Sequence, residues 1–319
     1  MNNDSIRRFK RTAARYVYYF FMWYLRTVPY WVVRWMTSFF IFVGYRVIWK
    51  LKKHARESLS IAFGKEKSQQ EINAIFKQCF ENFGRGALEL GYFCMHPTMI
   101  KEKAFFAPGS KENLDKALAE GNGVIGVTAH YGNFPLMLLY FGQVGYKTNA
   151  IIRPSRDEVI ERDFQELRSR LGLNTIHSYP REACVHQSLK ALRNNELLII
   201  PVDQNTGSKS GVYVDFFGQK AGTPTGPVVF ALRTGAPILP IFTIKDHEDV
   251  SRIIIEPHFH IEKKETDAET LQYNTQRITT IIEKYIRAYP HEWGWMHKRW
   301  KSRPKENQSL TTATGNDVI

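Results

Sequence analysis

Cysteine is scarce in this chain of 319 residues, which has only Cys79, Cys94 and Cys184, far apart in the sequence. Three scattered cysteines exclude a disulfide scaffold and any zinc site built on paired cysteines, and they suit a reducing compartment. Long apolar runs are also missing, which excludes a polytopic membrane protein, because a spanning helix needs about 20 mostly apolar residues. The composition, 43% apolar and 24% charged, is that of a folded protein rather than a disordered one.

Acidic residues are nearly absent from the first 60 positions, which hold 12 lysines and arginines against only Asp4 and Glu57. The same segment is rich in aromatic residues, with 15 of the chain's 43 between Tyr16 and Trp49. Arginines break its apolar runs, and Pro29 interrupts any continuous helix. Because Trp and Tyr favour the headgroup level and basic side chains favour an anionic leaflet, the segment predicts one or two helices in a membrane interface.

Two alternatives stay open for this segment: a helix that crosses the bilayer, and an aromatic helical hairpin packed on the protein's own core. A nucleic-acid partner is not expected, since a nucleic-acid face would leave few Trp and Phe free for burial. We expect residues 1–50 to form a membrane-binding extension, 51–300 one α/β domain, and 301–319 a polar, disordered tail.

Short apolar runs alternate with helical stretches in the middle of the chain, which is typical of an α/β fold with a largely parallel sheet flanked by helices. Residues 50–120 show helical spacing. The predicted strands are 124–128, 149–152, 197–202, 238–244 and 252–256. The predicted later helices are 133–143, 157–171, 183–194, 226–235 and 268–289.

Two motifs that could hold a cofactor or a metal do not fit their context. Residues 121–126 match the dinucleotide pattern G-x-G-x-x-G, but these glycines lead into a strand instead of opening a helix. His258 and His260 can share a strand face, yet no third ligand is evident near them. We therefore expect no cofactor, no metal, and two surface histidines.

The segment Val-Ile-Gly-Val-Thr-Ala-His-Tyr-Gly-Asn-Phe-Pro at 124–135 places His130 after a buried strand and before a helix. Ligands of open α/β sheets bind at the carboxyl ends of strands, so His130 stands where chemistry usually occurs. The following helix points free N–H groups at the same place, which suits an oxyanion or a phosphate. Position alone leaves two roles open, a catalytic base and a structural histidine at a strand end.

The blocks that begin at His130 resemble, in order, those of the bacterial lipid A biosynthesis acyltransferases, within the wider lysophospholipid acyltransferase superfamily. The matching blocks are His130–Phe134, Ile152–Pro154, Pro201–Gln204 with Gly211–Gly218, Thr223 with Ala231–Pro237, and Trp293–Lys301. The resemblance covers roughly residues 120–301 and implies a glycerolipid acyltransferase-like fold. One departure stands out: the superfamily has Asp or Glu five residues after the histidine, where this chain has Pro135.

The resemblance implies transfer of a fatty acyl group from acyl-carrier protein or acyl-CoA to a hydroxyl of a lipid A precursor. It also implies a place at the cytoplasmic face of the bacterial inner membrane. His130 would be the base, and backbone N–H groups near Gly132 and Asn133 would stabilise the oxyanion. Asp203, at the end of another predicted strand, is the first candidate for the missing acid, or else it anchors the loop after it. Asp157 and Glu158 are weaker candidates.

Further substrate contacts follow from the same resemblance. Arg153 would hold a phosphate of the acceptor by paired hydrogen bonds, and Gln204 and Arg233 would also contact substrate. Phe216 and Phe217 would line an acyl channel or belong to the ordinary core. Two other functions stay open: the same chemistry on a lysophospholipid, aminolipid or other glycolipid, and a catalytically inactive protein that binds membrane lipid.

Overall fold

The computed structural model describes residues 3–207, 211–246, 249–302 and 304. Its helices are α1 (Asn3–Thr27), α2 (Tyr30–Val47), α3 (Trp49–Phe63), α4 (Gln69–Met95), α5 (Thr98–Glu102), α6 (Ser110–Leu118), α7 (Phe134–Gln143), α8 (Glu158–Arg170), α9 (Arg181–Arg193), α10 (Gly226–Thr234) and α11 (Asp267–Ala288). Its strands are β1 (Ala104–Phe106), β2 (Val124–Thr128), β3 (Thr148–Ile152), β4 (Leu173–His177), β5 (Leu197–Pro201), β6 (Gly211–Phe216), β7 (Gln219–Pro224), β8 (Ile238–Lys245) and β9 (Ser251–Ile255). Most of the predicted tail, 301–319, lies outside the described residues.

Seven strands form one sheet in the order β1-β9-β8-β2-β5-β3-β4. The five strands from β8 to β4 in that order run parallel, β9 pairs antiparallel with β8, and β1 runs parallel to β9. Ile125 and Val127 belong to the apolar core on one face of the sheet, whereas Val124 belongs to the core on the other. Both faces are covered, so the central strands can be apolar at every position. The predicted fold class is confirmed.

The sequence predictions miss β1, β4 and the hairpin of β6 and β7. β1 has only three residues, which is too short for a pattern. β4 lies at the edge of the sheet and reads Leu-Asn-Thr-Ile-His, so it lacks a continuous apolar run. β6 and β7 pair with each other outside the main sheet. The missed strands are therefore those that are short or peripheral.

The aromatic N-terminal segment forms two helices, and Pro29 separates them with a φ of −64° at the N-cap of α2. Leu25 and Val33 are buried in the core, whereas Trp31 and Trp35 are 71% and 68% exposed. Among the described residues, no single helix is both long and apolar enough to cross a bilayer. The bent pair of α2 and α3, with 80° between them, meets that test jointly. The segment thus packs on the domain by one face and turns an aromatic face outward.

Ion pairs attach both N-terminal helices to the α/β domain. Arg15 of α1 binds Asp157, with Nε 3.0 Å from Oδ1, and Arg34 of α2 binds Asp249. These two cations of the basic segment are therefore used inside the fold. The placement of α1 and α2 against the sheet is fixed by charge as well as by apolar packing.

Candidate active site

The contact between His130 and Asp203 follows from the register of β2 and β5. Thr128 is paired with Pro201, and each of the two side chains comes two residues after that pair. His130 Nδ1 lies 2.8 Å from Asp203 Oδ1, and the His130 backbone N–H donates to Asp203 Oδ2 at 3.0 Å. Asp203 is only 5% exposed. The structure therefore brings together the predicted base and the first candidate for the acid missing at Pro135.

Trp293 supplies a third hydrogen bond to Asp203, because its indole Nε1–H donates to Oδ2 at 2.8 Å. The backbone around Trp293 is hydrogen-bonded to the segment that follows β2. Tyr131 forms an antiparallel bridge with Trp293, and the Gly294 N–H donates to the His130 carbonyl at 3.1 Å. A buried indole N–H needs an acceptor. Sequence reasoning recognised the Trp293–Lys301 block but missed this contact, and the need to satisfy the indole was the available signal.

The pKa values of the pair favour an ionised aspartate. Burial alone would raise the pKa of Asp203, but hydrogen bonds from His130 and Trp293 outweigh it and hold that pKa below its usual value. Burial alone would lower the pKa of His130, but Asp203 outweighs it and raises that pKa above 6.5. An ionised Asp203 fixes the proton on His130 Nδ1, which leaves Nε2 as the basic nitrogen.

Gln204 covers that second nitrogen. Its side-chain Nε2 lies 3.0 Å from His130 Nε2 and can donate to the lone pair there. The glutamine side chain is exposed, so it can move without disturbing the core. A hydroxyl that binds to His130 Nε2 would have to displace the Gln204 amide, and the predicted contact of Gln204 with substrate stays a prediction.

An apolar cavity of about 550 Å³ opens beside His130. It is enclosed by α1, α4, α7, α8 and β3, through side chains that include Met22, Leu90, Leu138, Ile152 and Leu167. Pro135 lies in its wall, so the residue that replaces the superfamily acid extends the apolar surface next to the histidine. The cavity begins at the carboxyl ends of β2 and β3 and reaches Leu173 at the amino end of β4.

Arg153 follows β3 and lines the same cavity with an exposed side chain. No hydrogen bond or ion pair joins its guanidinium to another of the described residues. A guanidinium without an internal carboxylate can bind a phosphate or carboxylate of a ligand by two parallel hydrogen bonds. The predicted role of Arg153 in phosphate binding stays a prediction, and its position is compatible with it.

A model of the family described as bacterial lipid A biosynthesis acyltransferases matches residues 2–302. The chain belongs to this family. Its relatives are named as acyltransferases, and the protein is accordingly an O-acyltransferase.

The acyltransferase is similar to enzymes with different named substrates. The lipid A biosynthesis lauroyltransferase of Escherichia coli is 25% identical over 287 residues, 89% of this chain and 90% of that protein. The lipid A biosynthesis palmitoleoyltransferase of the same organism is 25% identical over 258 residues, 80% of each chain. The phosphatidylinositol mannoside acyltransferase of Mycobacterium tuberculosis is 24% identical over 201 residues, 63% of this chain and 61% of that one. These names differ in both the acyl chain and the acceptor.

The oxyanion prediction for Gly132 is wrong. Its N–H already donates to the carbonyl of Glu292 at 2.7 Å. The residue has a φ of +55°, and a Cβ there would lie 2.0 Å from the carbonyl oxygen of Thr243, so only glycine fits this turn. Asn133 caps α7 by accepting from the Leu136 N–H at 3.3 Å. A role of the Asn133 backbone N–H toward an oxyanion stays a prediction.

Arg233 is not at this site. It lies in the last turn of α10, which leads into the amino end of β8, where Ile238 pairs with Ile125. His130 stands at the carboxyl ends of the strands, so Arg233 lies toward the opposite edge of the sheet. The prediction that it contacts substrate is wrong for the acyltransferase site.

Phe216 and Phe217 belong to the ordinary core, which was one of the two predicted alternatives. Both are buried, with ring centroids 5.5 Å from Trp293 for Phe216 and 5.2 Å from Phe63 for Phe217. Neither lines the cavity beside His130. This aromatic cluster supports Trp293 and so acts on Asp203 only indirectly.

Asp157 and Glu158 are not partners of the histidine. Asp157 caps α8 by accepting from the N–H groups of Val159 and Ile160, and it binds Arg15. Glu158 is exposed in the first turn of α8. Asp203 is therefore the acid that the fold places against His130.

Proposed function

We propose that the acyltransferase moves a fatty acyl group from a thioester donor, acyl-carrier protein or acyl-CoA, to a hydroxyl of a lipid A precursor. The observation that carries this proposal is a histidine, hydrogen-bonded to a buried aspartate, that lines an apolar cavity. The family supports the chemistry, and the lipid A relatives support the acceptor.

His130 acts as the general base through Nε2. The acceptor oxygen attacks the thioester carbonyl carbon while Nε2 takes its proton, and the carboxylate of Asp203 stabilises the imidazolium that forms. The tetrahedral intermediate then breaks its C–S bond, and the departing thiolate takes the proton from Nε2. The hydroxyl attacks directly, so no covalent acyl-enzyme is needed. Arg153, at the same edge, holds a phosphate of the acceptor.

The apolar cavity binds the acyl chain with its thioester end at His130. Leu173 pairs with Thr148, four residues along the strands from the level of Ile152, or about 13 Å at the rise of a strand, so the methyl end lies toward Leu173. Chain length is then set by the side chains at that end, because a filled cavity leaves no room for further methylenes.

Leu173→Phe should shift the preferred donor to a shorter acyl chain. A pocket discriminates one methylene by about 10–200-fold, so the ratio of kcat/KM for long and short donors should fall by at least tenfold. The measurement is a competition between acyl donors of graded length, with products resolved by mass spectrometry. Leu171→Phe is the matched control, since Leu171 is also buried but does not line the cavity. An unchanged product distribution in Leu173→Phe would place the acyl chain elsewhere.

We further propose that α1 and α2 lie in the membrane interface with their aromatic faces toward lipid, on the cytoplasmic side of the inner membrane. The exposed aromatic residues of these helices, apart from the tyrosines, are Phe9, Phe20, Phe21, Trp23, Trp31, Trp35, Phe39, Phe40 and Phe42. So many exposed aromatic side chains on two neighbouring helices are unusual for a surface that faces water. α1 also lines the acyl cavity, so in this proposal lipid and acyl chain both contact the same helix.

The double variant Trp31→Ser/Trp35→Ser should weaken binding to anionic vesicles by more than tenfold. Burying an aromatic side chain contributes about 1.5–3 kcal/mol, and 1.4 kcal/mol corresponds to a factor of ten. Vesicle sedimentation measures the bound fraction. Tyr273→Ser is the control, because Tyr273 is 42% exposed on α11, outside this face. This test leaves the fold intact, whereas deleting residues 1–50 would also remove Leu25 and Val33 from the core.

The acceptor is tested with the purified full-length enzyme, each thioester donor, and separate acceptors: a lipid A precursor, a lysophospholipid and a mannosylated phosphatidylinositol. Mass spectrometry should find an acyl-sized mass gain on the lipid A precursor. Acylation of another acceptor alone would keep the chemistry and replace the acceptor. No product from any acceptor, with folded and vesicle-bound protein, would favour lipid binding without catalysis.

A further inference from the structure

Glu120, His258 and His260 converge at the surface, where the sequence suggested two histidines without a third ligand. His258 Nε2 lies 2.7 Å from Glu120 Oε1, and His260 Nε2 lies 3.1 Å from Glu120 Oε2. One ligand atom from each of the three side chains lies within 4.8 Å of the others. Glu120 is therefore a third potential ligand beside the two histidines, which the sequence spacing did not reveal.

The backbone holds the two histidines on one side of the extended segment after β9. Phe259, between them, forms an antiparallel bridge with Ile238, and the N–H groups of both residues donate to the other's carbonyl at 2.8 and 2.9 Å. Alternate residues of an extended chain point to opposite sides, so His258 and His260 share the side away from Phe259. Their geometry is fixed by the sheet.

The turn that carries Glu120 is also held firmly. Asn195 accepts from the Gly123 N–H at 2.9 Å and donates to the Leu118 carbonyl at 3.0 Å, so one side chain bridges both ends of the turn. The turn leads into the amino end of β2, whereas His130 follows its carboxyl end. The cluster is thus at the opposite edge of the sheet from the acyltransferase site.

We propose that Glu120, His258 and His260 bind one divalent transition-metal ion, for which their chemistry favours zinc. Two imidazole nitrogens and a carboxylate are common zinc ligands, whereas magnesium and calcium prefer oxygen alone. Glu120 and His260 are exposed and His258 is half-buried, so an ion can enter from solvent and a water can complete the coordination. The bound ion joins the turn before β2 to the segment after β9.

This role is independent of the proposed acyl transfer, because neither the ion nor its ligands lie near His130. It is structural: an ion that binds the folded chain and not the unfolded one raises the apparent Tm. Turnover of lipid substrates should be the same with and without the ion.

The test uses the full-length protein, stripped of metal by a chelator and then dialysed. Titration with zinc chloride in a calorimeter should give one site per chain and a higher Tm, and magnesium chloride should give neither. Cobalt(II) should give the visible absorption of a nitrogen- and oxygen-ligated ion, without the charge-transfer bands of a thiolate.

The double variant His258→Gln/His260→Gln should lose the site while keeping its fold, as judged by circular dichroism. His186→Gln, which removes an exposed histidine of α9, should keep it. Absence of zinc binding by the wild-type protein overturns the proposal. So does a double variant that still binds one ion, because the ligands then lie elsewhere.

Discussion

His130→Ala should lower kcat by about 10²–10⁴-fold, the contribution usual for a general base. The loss arises because Nε2 is no longer there to take the proton of the acceptor hydroxyl, and Asp203 cannot replace it: its carboxylate is buried and still accepts from the backbone N–H of residue 130 and from Trp293. Steady-state turnover at saturating donor and acceptor measures the effect. Circular dichroism and Tm establish that the variant is folded.

Gln204→Ala is the matched control for that experiment. Gln204 touches the same ring nitrogen as the acceptor hydroxyl but takes no proton in the proposed mechanism. Its loss should change KM for the acceptor more than kcat. Turnover of His130→Ala within a few-fold of the wild type would contradict the role of His130 as base.

Asp203→Asn should reduce kcat on the order of 10³–10⁴-fold, although the side chain keeps its size. Asparagine cannot stabilise the imidazolium, and it no longer fixes the proton on His130 Nδ1. The two residues act as a unit, so the double variant His130→Ala/Asp203→Asn should be little worse than His130→Ala alone. Comparison of kcat among the two single variants and the double variant tests this.

The pH profile gives a second readout for Asp203. Neutral His130 is the active base, so kcat/KM should fall as pH drops through the pKa of His130, which Asp203 raises above 6.5. Without the carboxylate that pKa falls, and the acid limb should move to lower pH. Asp215→Asn, at an exposed carboxylate of β6 that pairs with Lys220, should leave kcat and the limb unchanged. If Asp203→Asn lowers kcat only a few-fold and leaves the acid limb of the pH profile where it is, the role of Asp203 is to anchor the loop after it.

The parts of this fold that the sequence predicts are those governed by local pattern. The strands at 124–128 and 197–202 are almost wholly apolar because both faces of the sheet are covered, and such runs can be recognised in the sequence alone. His130 is conspicuous for the same reason, since it follows such a run and precedes a helix. Asp203 was a candidate for the missing acid because it follows a predicted strand. Its contact with His130, however, depends on the register of two strands, which cannot be read from the local sequence.

The errors have a common physical origin in long-range geometry. Gly132 is next to His130 in sequence, but its N–H is taken by Glu292, which arrives from the far end of the chain. Arg233 lies within a recognised block, yet the helix that carries it ends at the opposite edge of the sheet. Glu120 reaches His258 only through folding of the whole sheet. A motif in the sequence shows which residue types are present, but the topology of the fold determines which of these residues are in contact.

The contact of Trp293 with Asp203 has a consequence for the order of events during synthesis. His130 and Asp203 can pair once β5 has joined β2, but the third donor to the carboxylate comes from a residue 90 positions later. A nascent chain that ends before Trp293 holds this carboxylate without its indole and without the bridge to Tyr131. In the proposed mechanism, we therefore expect a chain truncated before Trp293 to turn over more slowly than the intact one, because its carboxylate at Asp203 lacks the indole donor.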